Sequence, residues 1–412
     1  MGRGIASKKQ KKLIVDDDEF PSSVYAVISN DDLLIDILLR LPASSIVGLR
    51  SVSKRWLSLI AGPVFTLWWS QKRNVNRSPF GFFLQRYITC ENYAYVPRDI
   101  RFAVNRSPPL NTTTNFGFDF PDEGNVEILQ SCNGLLLCRY SIKTDEHHGY
   151  DPSDTHYVYN PSINQFMKLP SPCNLIGVDS YSIGGMRLTF DPIESLYYKL
   201  VFATTKHDGH HFYVEIYTYS SETGTWSVCP DRFPKSDDFF NFRCAKYWNN
   251  SLHWINKRTK HVKLDLEHLV LTTTPLPQKY SNTLFESCGC LLCVCKCTSD
   301  ETLAEQIAIY EMRKGYSEWS MRYLVNLDDI WKLFPRVEGL EHAVMFGSYH
   351  VLCIVLGEEE DPFLVLEMCG KVVQYNIVLE TIRELYDYRP LNFESTELYR
   401  GCYPLYASFA SV

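Results

Sequence analysis

The densest group of potentially reactive side chains in this sequence is a run of five cysteines, Cys288, Cys290, Cys293, Cys295 and Cys297. The gap of two residues between Cys290 and Cys293 is the spacing of a zinc knuckle, whose thiolates bind the metal in pairs. No second pair with this spacing follows, and the last three cysteines alternate like residues on one face of a strand. We therefore interpret them as small buried side chains of a strand. A structural zinc site or redox-sensitive thiols are the alternatives.

Two histidine pairs, His147 with His148 and His210 with His211, form a second group of ligand-type side chains, and Asp208 precedes the second pair. They could build a metal or pH-sensitive site only if their loops met in space, and polar loop histidines without such a role are far commoner. The sequence lacks G-x-S-x-G, H-E-x-x-H, the Walker A loop and G-x-G-x-x-G. We therefore predict no catalytic residue, no metal and no cofactor.

Composition and charge exclude several classes of protein. The 412 residues are 45% hydrophobic and 14% aromatic, which is typical of a globular protein rich in strands. The 41 Lys plus Arg and 48 Asp plus Glu give a net charge of −7, which disfavours nucleic acid or an anionic membrane as partner. No run reaches the roughly 18 apolar residues of a membrane span. Residues 1–20 lack an apolar signal segment, so we expect reduced cysteines and a location in the cytoplasm, the nucleus or both.

The N-terminal part of the chain has helical periodicity after a charged tail. Residues 1–24 carry clusters of both signs without apolar spacing and predict a flexible tail. Asn30 predicts the N-cap of the first of three or four short helices, and Pro42 predicts its end. We place this helical domain at residues 28–73, with a boundary near 74–79. So short a domain cannot bury all of its large apolar side chains, and part of its apolar surface is therefore expected to face a partner.

Beyond residue 80 the apolar pattern changes to the alternation of short strands, and one unit recurs. Tyr217 precedes Trp226 by nine residues, and Tyr310 precedes Trp319 by the same nine. Five such markers follow one another in steps of 58, 47, 46 and 65 residues: Tyr159, Tyr217, Leu264, Tyr310 and Tyr375. Repeats of this length are typical of four-stranded propeller blades with variable loops.

The predicted fold class is therefore α+β multidomain, a short helical domain followed by a mainly antiparallel all-β propeller-like domain at residues 80–412. Its length allows about six blades. We expect a strand at 80–87 to pair with the segment 403–409, because this pairing would join the two ends of the ring and remove exposed sheet edges. Five or seven blades, or a pair of irregular β-sandwiches, are the alternatives.

Two segments of the helical domain resemble an F-box of the plant type. They are residues 31–42 (DDLLIDILLRLP) and 45–56 (SIVGLRSVSKRW). The chain departs from the usual pattern at Ile28 and Ser29, where the family generally has Leu-Pro, and at Ser53, where it often has Cys. We expect the first departure to weaken adaptor binding modestly and the second to be neutral.

The downstream repeats are similar to the F-box-associated region of the same family, at residues 131–136 (SCNGLL), 159–161 (YNP) and 403–405 (YPL) and at the Trp226 and Trp319 strands. The resemblance implies a substrate-recognition subunit of an SCF-type (Skp–cullin–F-box) ubiquitin ligase. Its F-box would bind a Skp-type adaptor and, through it, a cullin, and its β domain would bind a protein substrate for ubiquitination and degradation. Such a subunit raises the local concentration of substrate lysines and catalyses nothing itself. The alternatives are an F-box scaffold or decoy and a propeller enzyme.

The apolar residues of the helical domain are suited to docking in a partner's groove. The candidate adaptor-binding residues are Leu33, Leu34, Ile37, Leu38, Leu41, Pro42, Leu49, Val52 and Trp56. Some of them must form the domain's own core, and we expect contact first at Leu33, Ile37, Leu41 and Pro42. For the substrate we expect long polar loops to be used. These loops are residues 141–155, 204–211, 297–305 and 357–362.

Overall fold

The computed structural model describes a group of short helices and most of the β domain. The described residues are 26–27, 29–73, 79–86, 93–97, 125–141, 154–172, 181–234, 239, 241–256, 260–278, 282–298, 305–327, 330, 349–357, 361–368, 371–387 and 399–412. Internal contacts divide the chain into two compact units, Met1–Ile60 and Ala61–Val412. None of the described helices is both long and apolar enough to cross a membrane.

Within the described residues of the first unit, three short helices have defined bounds. They are α1 (Asp31–Leu38), α2 (Ala43–Leu49) and α3 (Lys54–Ile60). Asn30 caps α1, because its side-chain oxygen accepts hydrogen bonds from the backbone N–H groups of Asp32 (3.0 Å) and Leu33 (3.2 Å). Pro42 separates α1 from α2, and its carbonyl accepts the first bond of α2 from Ile46 N (3.2 Å). Both predictions for the start and end of the first helix are confirmed.

The core of the first unit is small. Its buried apolar side chains among the described residues are Leu34, Ile35, Leu38, Leu39, Ile46 and Ile60. An ion pair between Arg55 of α3 and Asp31 joins the N-terminal ends of α3 and α1, with Nε 3.1 Å from Oδ1. Both side chains of this pair are exposed, so it contributes little stability. Packing of the aliphatic side chains of α1 therefore provides most of the stability of this unit.

The next helix, α4 (Pro63–Arg73), belongs to the second unit. The rings of Phe65 and Trp69 lie edge-on to Phe409, with centroid distances of 5.5 and 5.0 Å. Thr66 Oγ1 donates a hydrogen bond to the carbonyl of Phe409 (3.0 Å). The structure thus divides the chain after Ile60, earlier than the boundary expected near residues 74–79. The aromatic residues of α4 fit either unit by type, and their contact with Phe409 decides between them.

The second unit is a ring of six antiparallel sheets. A closing sheet holds β1 (Gly81–Arg86) and β2 (Tyr93–Pro97), and blade 1 holds β3 (Asn125–Cys132), β4 (Leu135–Ser141), β5 (Thr155–Asn160) and β6 (Gln165–Lys168). Blade 2 holds β7 (Tyr181–Thr189), β8 (Lys199–His207), β9 (Phe212–Ser220), β10 (Thr225–Val228) and the short β11 (Phe233–Pro234). Blade 3 follows a 3-10 turn (Phe242–Cys244) and holds β12 (Lys246–Trp248), β13 (Ser251–Asn256), β14 (Lys260–Asp265) and β15 (Leu271–Pro275).

The remaining blades complete the ring. Blade 4 holds β16 (Asn282–Ser287), β17 (Cys290–Thr298), β18 (Glu305–Met312) and β19 (Ser320–Asn326). Blade 5 holds β20 (Tyr349–Val355), β21 (Phe363–Met368), β22 (Lys371–Asn376) and β23 (Thr381–Asp387), and β24 (Tyr399–Leu405) returns to the closing sheet. Five full blades and a three-stranded closing sheet confirm the predicted propeller of about six blades.

The repeated sequence unit corresponds to one position in the blades. All five markers lie on the third strand of their blade: Tyr159, Tyr217, Leu264, Tyr310 and Tyr375. The tryptophan nine residues later belongs to the following hairpin, and Trp226 Nε1 donates to the carbonyl of Pro170 in blade 1 (2.8 Å). The nine-residue spacing therefore reflects a hairpin between the third and fourth strands whose tryptophan reaches a neighbouring blade.

The ring is closed by pairing of β1 with β24. The antiparallel register runs from Gly81 opposite Leu405 to Arg86 opposite Tyr399, and β24 also contacts β20 and β3. The last strand is therefore the innermost strand of the closing sheet, with β1 and β2 outside it. The predicted closure between the two ends of the domain is confirmed, although the C-terminal strand begins at Tyr399 and ends before the tail 406–412.

This C-terminal tail is bound to blade 1. Asn160 Nδ2 donates to the carbonyls of Ala410 (2.8 Å) and Ser408 (3.2 Å), and the backbone N–H of Ser408 donates to Ser162 Oγ (3.1 Å). All four residues are buried. A buried amide with both of its partners on one segment fixes that segment, since a lost partner leaves an unsatisfied polar group. Residues 159–161, singled out by sequence, thus hold the end of the chain.

Replacing Gly134 by alanine should destabilise the propeller by roughly 2–5 kcal/mol, the sum of backbone strain and overpacking. Gly134 has φ +91°, and a Cβ there would lie 2.6 Å from Ser408 Cβ and 2.7 Å from the carbonyl oxygen of Tyr406. Gly209→Ala is the matched control, because Gly209 has φ +99° with nothing within 4 Å of the added Cβ. Thermal unfolding should show the larger loss in Gly134→Ala. Equal losses would contradict tight packing of the tail on this turn.

Candidate functional site

The structure sorts the nine predicted adaptor-binding residues by exposure. Leu34 (3% exposed) and Leu38 (0%) lie in the core of the first unit. The exposed ones are Leu33, Ile37, Pro42 and Val52, and the half-buried ones are Leu41, Leu49 and Trp56. The two buried leucines stabilise the unit and cannot contact a partner without opening it. The expectation that part of the set forms the unit's own core agrees with this division.

The first unit exposes apolar side chains on all three helices and in the segment between α2 and α3. Leu33 (48%) and Ile37 (44%) are four residues apart on α1, which places them on one face of that helix. Val47 (39%) on α2 and Leu57 (41%) on α3 join Val52 (59%). Sequence reasoning missed Val47 and Leu57, because each is next to a residue with helical core spacing. Large exposed apolar side chains on so small a unit are typical of an interaction surface.

A second candidate site lies at the end of the propeller where the first strand of each blade turns into the second. In three blades this turn has positive φ at both central residues: Asn133 and Gly134, Asn249 and Asn250, Cys288 and Gly289. This is the backbone of the type I′ hairpin turn. With the turn at Asp191 and with Tyr406, these turns border a cavity of about 180 Å³. We call it the mouth cavity.

The wall of the mouth cavity is acidic and partly aromatic. Its side chains include Asp191, Glu194, Glu286, Lys314, Tyr247 and Trp248. The ammonium group of Lys314 lies 3.8 Å from the Glu194 carboxylate, and Trp248 Nε1 donates to the carbonyl of Gly289 (2.7 Å), which joins blades 3 and 4. Burial raises the pKa of the Tyr247 phenol, so it remains a neutral hydrogen-bond donor. The cavity can accept polar donors of a peptide against an aromatic surface.

Of the four loops that sequence singled out for substrate binding, only residues 204–211 are described in full, and they lie at the end of the propeller opposite the mouth cavity. The loops 141–155, 204–211 and 297–305 join the second and third strands of their blades, whereas 357–362 joins β20 to β21 at the end of the mouth cavity. Much of 141–155 and 297–305, and part of 357–362, lies outside the described residues. Short hairpins line the cavity instead, and loop length gave no signal for them.

Four of the five cysteines of the run, Cys290 to Cys297, belong to strand β17, and Cys288 lies in the turn before it. Cys293 and Cys295 are fully buried, with sulfur atoms 3.8 Å apart, in an apolar cluster with Leu284 and Ala308. Their interpretation as buried side chains on one face of a strand is confirmed. The side chain of Cys297 lies outside the described residues. Across the described part of the chain, no group of three or more His, Cys, Asp or Glu side chains is arranged to hold a metal ion.

The described histidine pair, His210 and His211, forms part of an exposed turn. Asp208 Oδ1 accepts hydrogen bonds from the backbone N–H groups of His210 (2.9 Å) and His211 (2.8 Å). These two bonds lower the pKa of the Asp208 carboxyl. The carboxylate therefore fixes the turn between β8 and β9, a common role for Asp in loops. His147 and His148 lie outside the described residues.

A buried histidine relay that sequence reasoning missed lies in blade 3. His253 Nε2 lies 3.2 Å from the carbonyl of Trp248, His253 Nδ1 lies 3.0 Å from His261 Nε2, and His261 Nδ1 lies 2.8 Å from Thr274 Oγ1. A carbonyl only accepts, so His253 Nε2 donates to it, His261 donates to His253, and Thr274 donates to His261. Burial lowers the pKa of His253 to about 3 and that of His261 to about 4. Both rings are neutral at neutral pH.

Comparisons with known proteins agree with this architecture. The F-box domain family matches residues 30–68, and the KIB1-4 beta-propeller family matches residues 107–358. An F-box protein of Arabidopsis thaliana is 26% identical over 415 aligned positions, covering 92% of this chain and 90% of its own length. A second F-box protein of Arabidopsis thaliana is 30% identical over 353 positions, covering 76% and 73%.

An N-terminal F-box followed by a propeller defines the class of protein to which this chain is similar along most of its length. The chain belongs to the F-box proteins whose second domain is a KIB1-4 beta-propeller. The matched F-box region contains α1, α2 and α3 and the first residues of α4. The closing strands β1, β2 and β24 lie outside the matched propeller region, so the structure adds the ring closure to what the family match covers.

The stability of the propeller should fall as the pH drops below about 6.5. His156, like His253, has a pKa lowered to about 3 by burial, and His261 one lowered to about 4. Below pH 6.5 these histidines bind protons in the unfolded chain, whereas in the folded chain they remain neutral. The free energy of unfolding therefore decreases toward pH 4, by up to about 1.4 kcal/mol per pH unit for each histidine.

Denaturant unfolding between pH 7 and 4 measures this slope in the full chain. His253→Gln should reduce the slope by about one proton equivalent, about 1.4 kcal/mol per pH unit, whatever its stability at pH 7. His210→Gln, at an exposed turn, is the control for replacing a histidine by glutamine, and its slope is compared with those of wild type and His253→Gln. The same slope in wild type and His253→Gln would show that His253 is not held neutral.

Proposed function

We propose that this protein is the substrate-recognition subunit of an SCF-type ubiquitin ligase, with no catalytic step of its own. Its F-box binds a Skp-type adaptor and, through it, a cullin, and its propeller binds the protein to be ubiquitinated. The observation that carries the proposal is the division of α1 into a buried and an exposed apolar face. Leu34 and Leu38 lie in the core, while Leu33 (48% exposed) and Ile37 (44%) remain accessible.

This division is what docking into a groove requires. A capped helix with its own core contacts is already folded before it binds, so little conformational entropy is lost on association. Two aliphatic side chains four residues apart then act as anchors on one face. Exposed ion pairs, Arg40 with Asp36 and Arg55 with Asp31, provide polar groups on the same three-helix unit. Apolar anchors with polar neighbours are the usual composition of a protein interface.

The propeller supports the receptor role by its rigidity. A closed ring holds the hairpin turns of several blades in fixed positions, and these turns border the mouth cavity. We propose the mouth cavity and its surrounding turns as the substrate-binding end. Binding of a substrate there raises its concentration near the ubiquitin-loaded enzyme, an effect of proximity that needs no catalytic residue in this chain.

We also propose the cytoplasm, the nucleus or both as its location. Seven of the cysteines whose side chains are described are buried or half-buried in strands, as small apolar side chains: Cys132, Cys138, Cys290, Cys293, Cys295, Cys353 and Cys402. Reduced thiols are typical of proteins in a reducing compartment.

Adaptor binding tests the proposal directly. The full chain should co-purify with a plant Skp-type adaptor and cullin, and a Leu33→Asp/Ile37→Asp variant should lose the adaptor by at least about tenfold in affinity. The expected loss follows from placing two charges in an apolar interface. Both positions are exposed, so the variant should retain its thermal unfolding temperature. Binding is measured by calorimetry and by pull-down.

Two control variants make the result specific. Leu379→Asp places the same substitution at an exposed leucine (62%) of the propeller and should bind the adaptor like wild type. Leu38→Asp buries a charge in the core and should disrupt the helical unit itself. No adaptor binding by the folded wild-type chain would overturn the proposal. Adaptor binding without cullin recruitment would instead identify a scaffold or decoy.

A further inference from the structure

The axis of the propeller is lined by the innermost strands, and the cationic side chains that the structure describes on them belong to blades 2 and 3. Arg187 lies on β7 of blade 2, and Lys246 begins β12 of blade 3. The strand β7 passes close to the 3-10 turn before β12, since a Cβ at Gly185 would lie 3.1 Å from Arg243 Cβ. Arg187 and Gly185 are two residues apart and share a face of β7. The segments that carry Arg187 and Arg243 therefore adjoin each other, and Lys246 follows Arg243 by three residues.

Arg187 is buried with incomplete hydrogen bonding. Its side chain is 6% exposed, and its Nη1 donates to the carbonyl of Leu129 on the innermost strand of blade 1 (2.9 Å). Its Nε is buried and has no hydrogen-bond partner among the described residues. The carboxylate in its electrostatic range, Glu127, is already ion-paired with Arg139. A buried guanidinium with a free donor and no carboxylate of its own is unfavourable.

Lys246 adds a second charge to the same place. Its charged and titratable neighbours among the described residues include Arg187 and the thiols of Cys244, Cys353 and Cys402. Burial lowers the pKa of Lys246, and repulsion by Arg187 lowers it further. Burial raises the pKa of the Cys402 thiol, so this neighbour is neutral and does not compensate the positive charge. Arg187 and Lys246 are thus two cations within electrostatic range of each other, and the neutral thiols near them do not compensate their charge.

We propose that the innermost strands around the propeller axis bind a small oxyanion, a phosphate or a phosphate monoester, between Arg187 and Lys246. Such an anion supplies several acceptor oxygens to the guanidinium and the ammonium at once, the arrangement in which charge-assisted hydrogen bonds are strongest. It also removes the repulsion between the two cations. Arg243, exposed beside β7, contributes further positive potential. This site goes beyond the proposed function and does not depend on it.

An acidic peptide fits this site less well than a small ion. Peptide access from the mouth cavity would pass Asp191, Glu194 and Glu286, whose carboxylates repel an acidic chain. The cations lie two or more residues along their strands from the turns that border the cavity, since Lys246 precedes Trp248 and Arg187 precedes Asp191. A compact anion can bind between the strands at this distance from the mouth cavity, whereas a peptide would need space for its backbone along the propeller axis.

Anion binding by the purified full chain tests the site. The protein is prepared in phosphate-free buffer and titrated with inorganic phosphate, with glucose 6-phosphate, and with chloride at matched ionic strength. Phosphate or the monoester should raise the unfolding temperature in a saturable way, because a ligand of the folded state stabilises it. Tighter binding of glucose 6-phosphate than of phosphate would identify the ligand class as a monoester, and the reverse as free phosphate. An equal rise with chloride would overturn the proposal.

Lys246→Met is the decisive variant. It removes a buried charge next to another cation while keeping an unbranched side chain, so it should fold at least as well as wild type in phosphate-free buffer. It should lose the phosphate-dependent rise and bind phosphate at least tenfold more weakly by calorimetry. Lys199→Met, at an exposed position of β8, is the matched control and should respond like wild type. An undiminished response in Lys246→Met, or no response in wild type, would contradict the site.

Discussion

The pairing of β1 with β24 is the interaction on which the rest of this structure depends. It joins the first and last strands of the domain through a continuous antiparallel ladder, so no blade is left with an open inner edge toward a missing neighbour. Because β24 is innermost, the end of the chain lies against blades 1 and 5 at once. The positions of the mouth turns and of the axial side chains are defined only once this ladder has formed.

The segment after β24 extends the same constraint outward. Asn160 and Ser162 of blade 1 hold the backbone near Ser408, and Phe409 packs against two aromatic rings of α4. One short segment therefore forms hydrogen bonds with blade 1 and packs against α4. The described helices of the first unit share only a small core, which leaves aliphatic side chains of α1 exposed. The propeller pairs the edges of its own sheets, whereas the helical unit leaves apolar side chains exposed. This difference is the physical basis for proposing that the helical unit binds the adaptor.

Much of this architecture could be predicted from the sequence, and the parts that could not have a common cause. The marker tyrosines and the nine-residue spacing to tryptophan are local patterns, so they revealed the blades before any contact was known. Ring closure followed from the need to pair sheet edges. Two features could not be found in this way: the hydrogen-bonded chain from Thr274 to His253, and the pair of Arg187 and Lys246. The alternation of residues along a strand predicts which face each side chain is on, but not which side chain of another strand lies next to it. The placement of α4 was missed for the same reason, since Phe65 and Trp69 specify a contact but not which unit provides it.

The blade 3 strand β12 connects the acidic mouth to the cationic axis. It is only three residues long: Lys246 lies within electrostatic range of Arg187, while Tyr247 and Trp248 border the mouth cavity. Trp248 is also fixed at both of its polar groups, by Gly289 at the indole and by His253 at the carbonyl. An anion that draws Lys246 toward Arg187 would therefore act on a strand whose next two side chains form the wall of the cavity. On the two proposals made above, substrate affinity at the mouth and anion affinity at the axis are linked through β12, and linkage requires any such coupling to be equal in both directions.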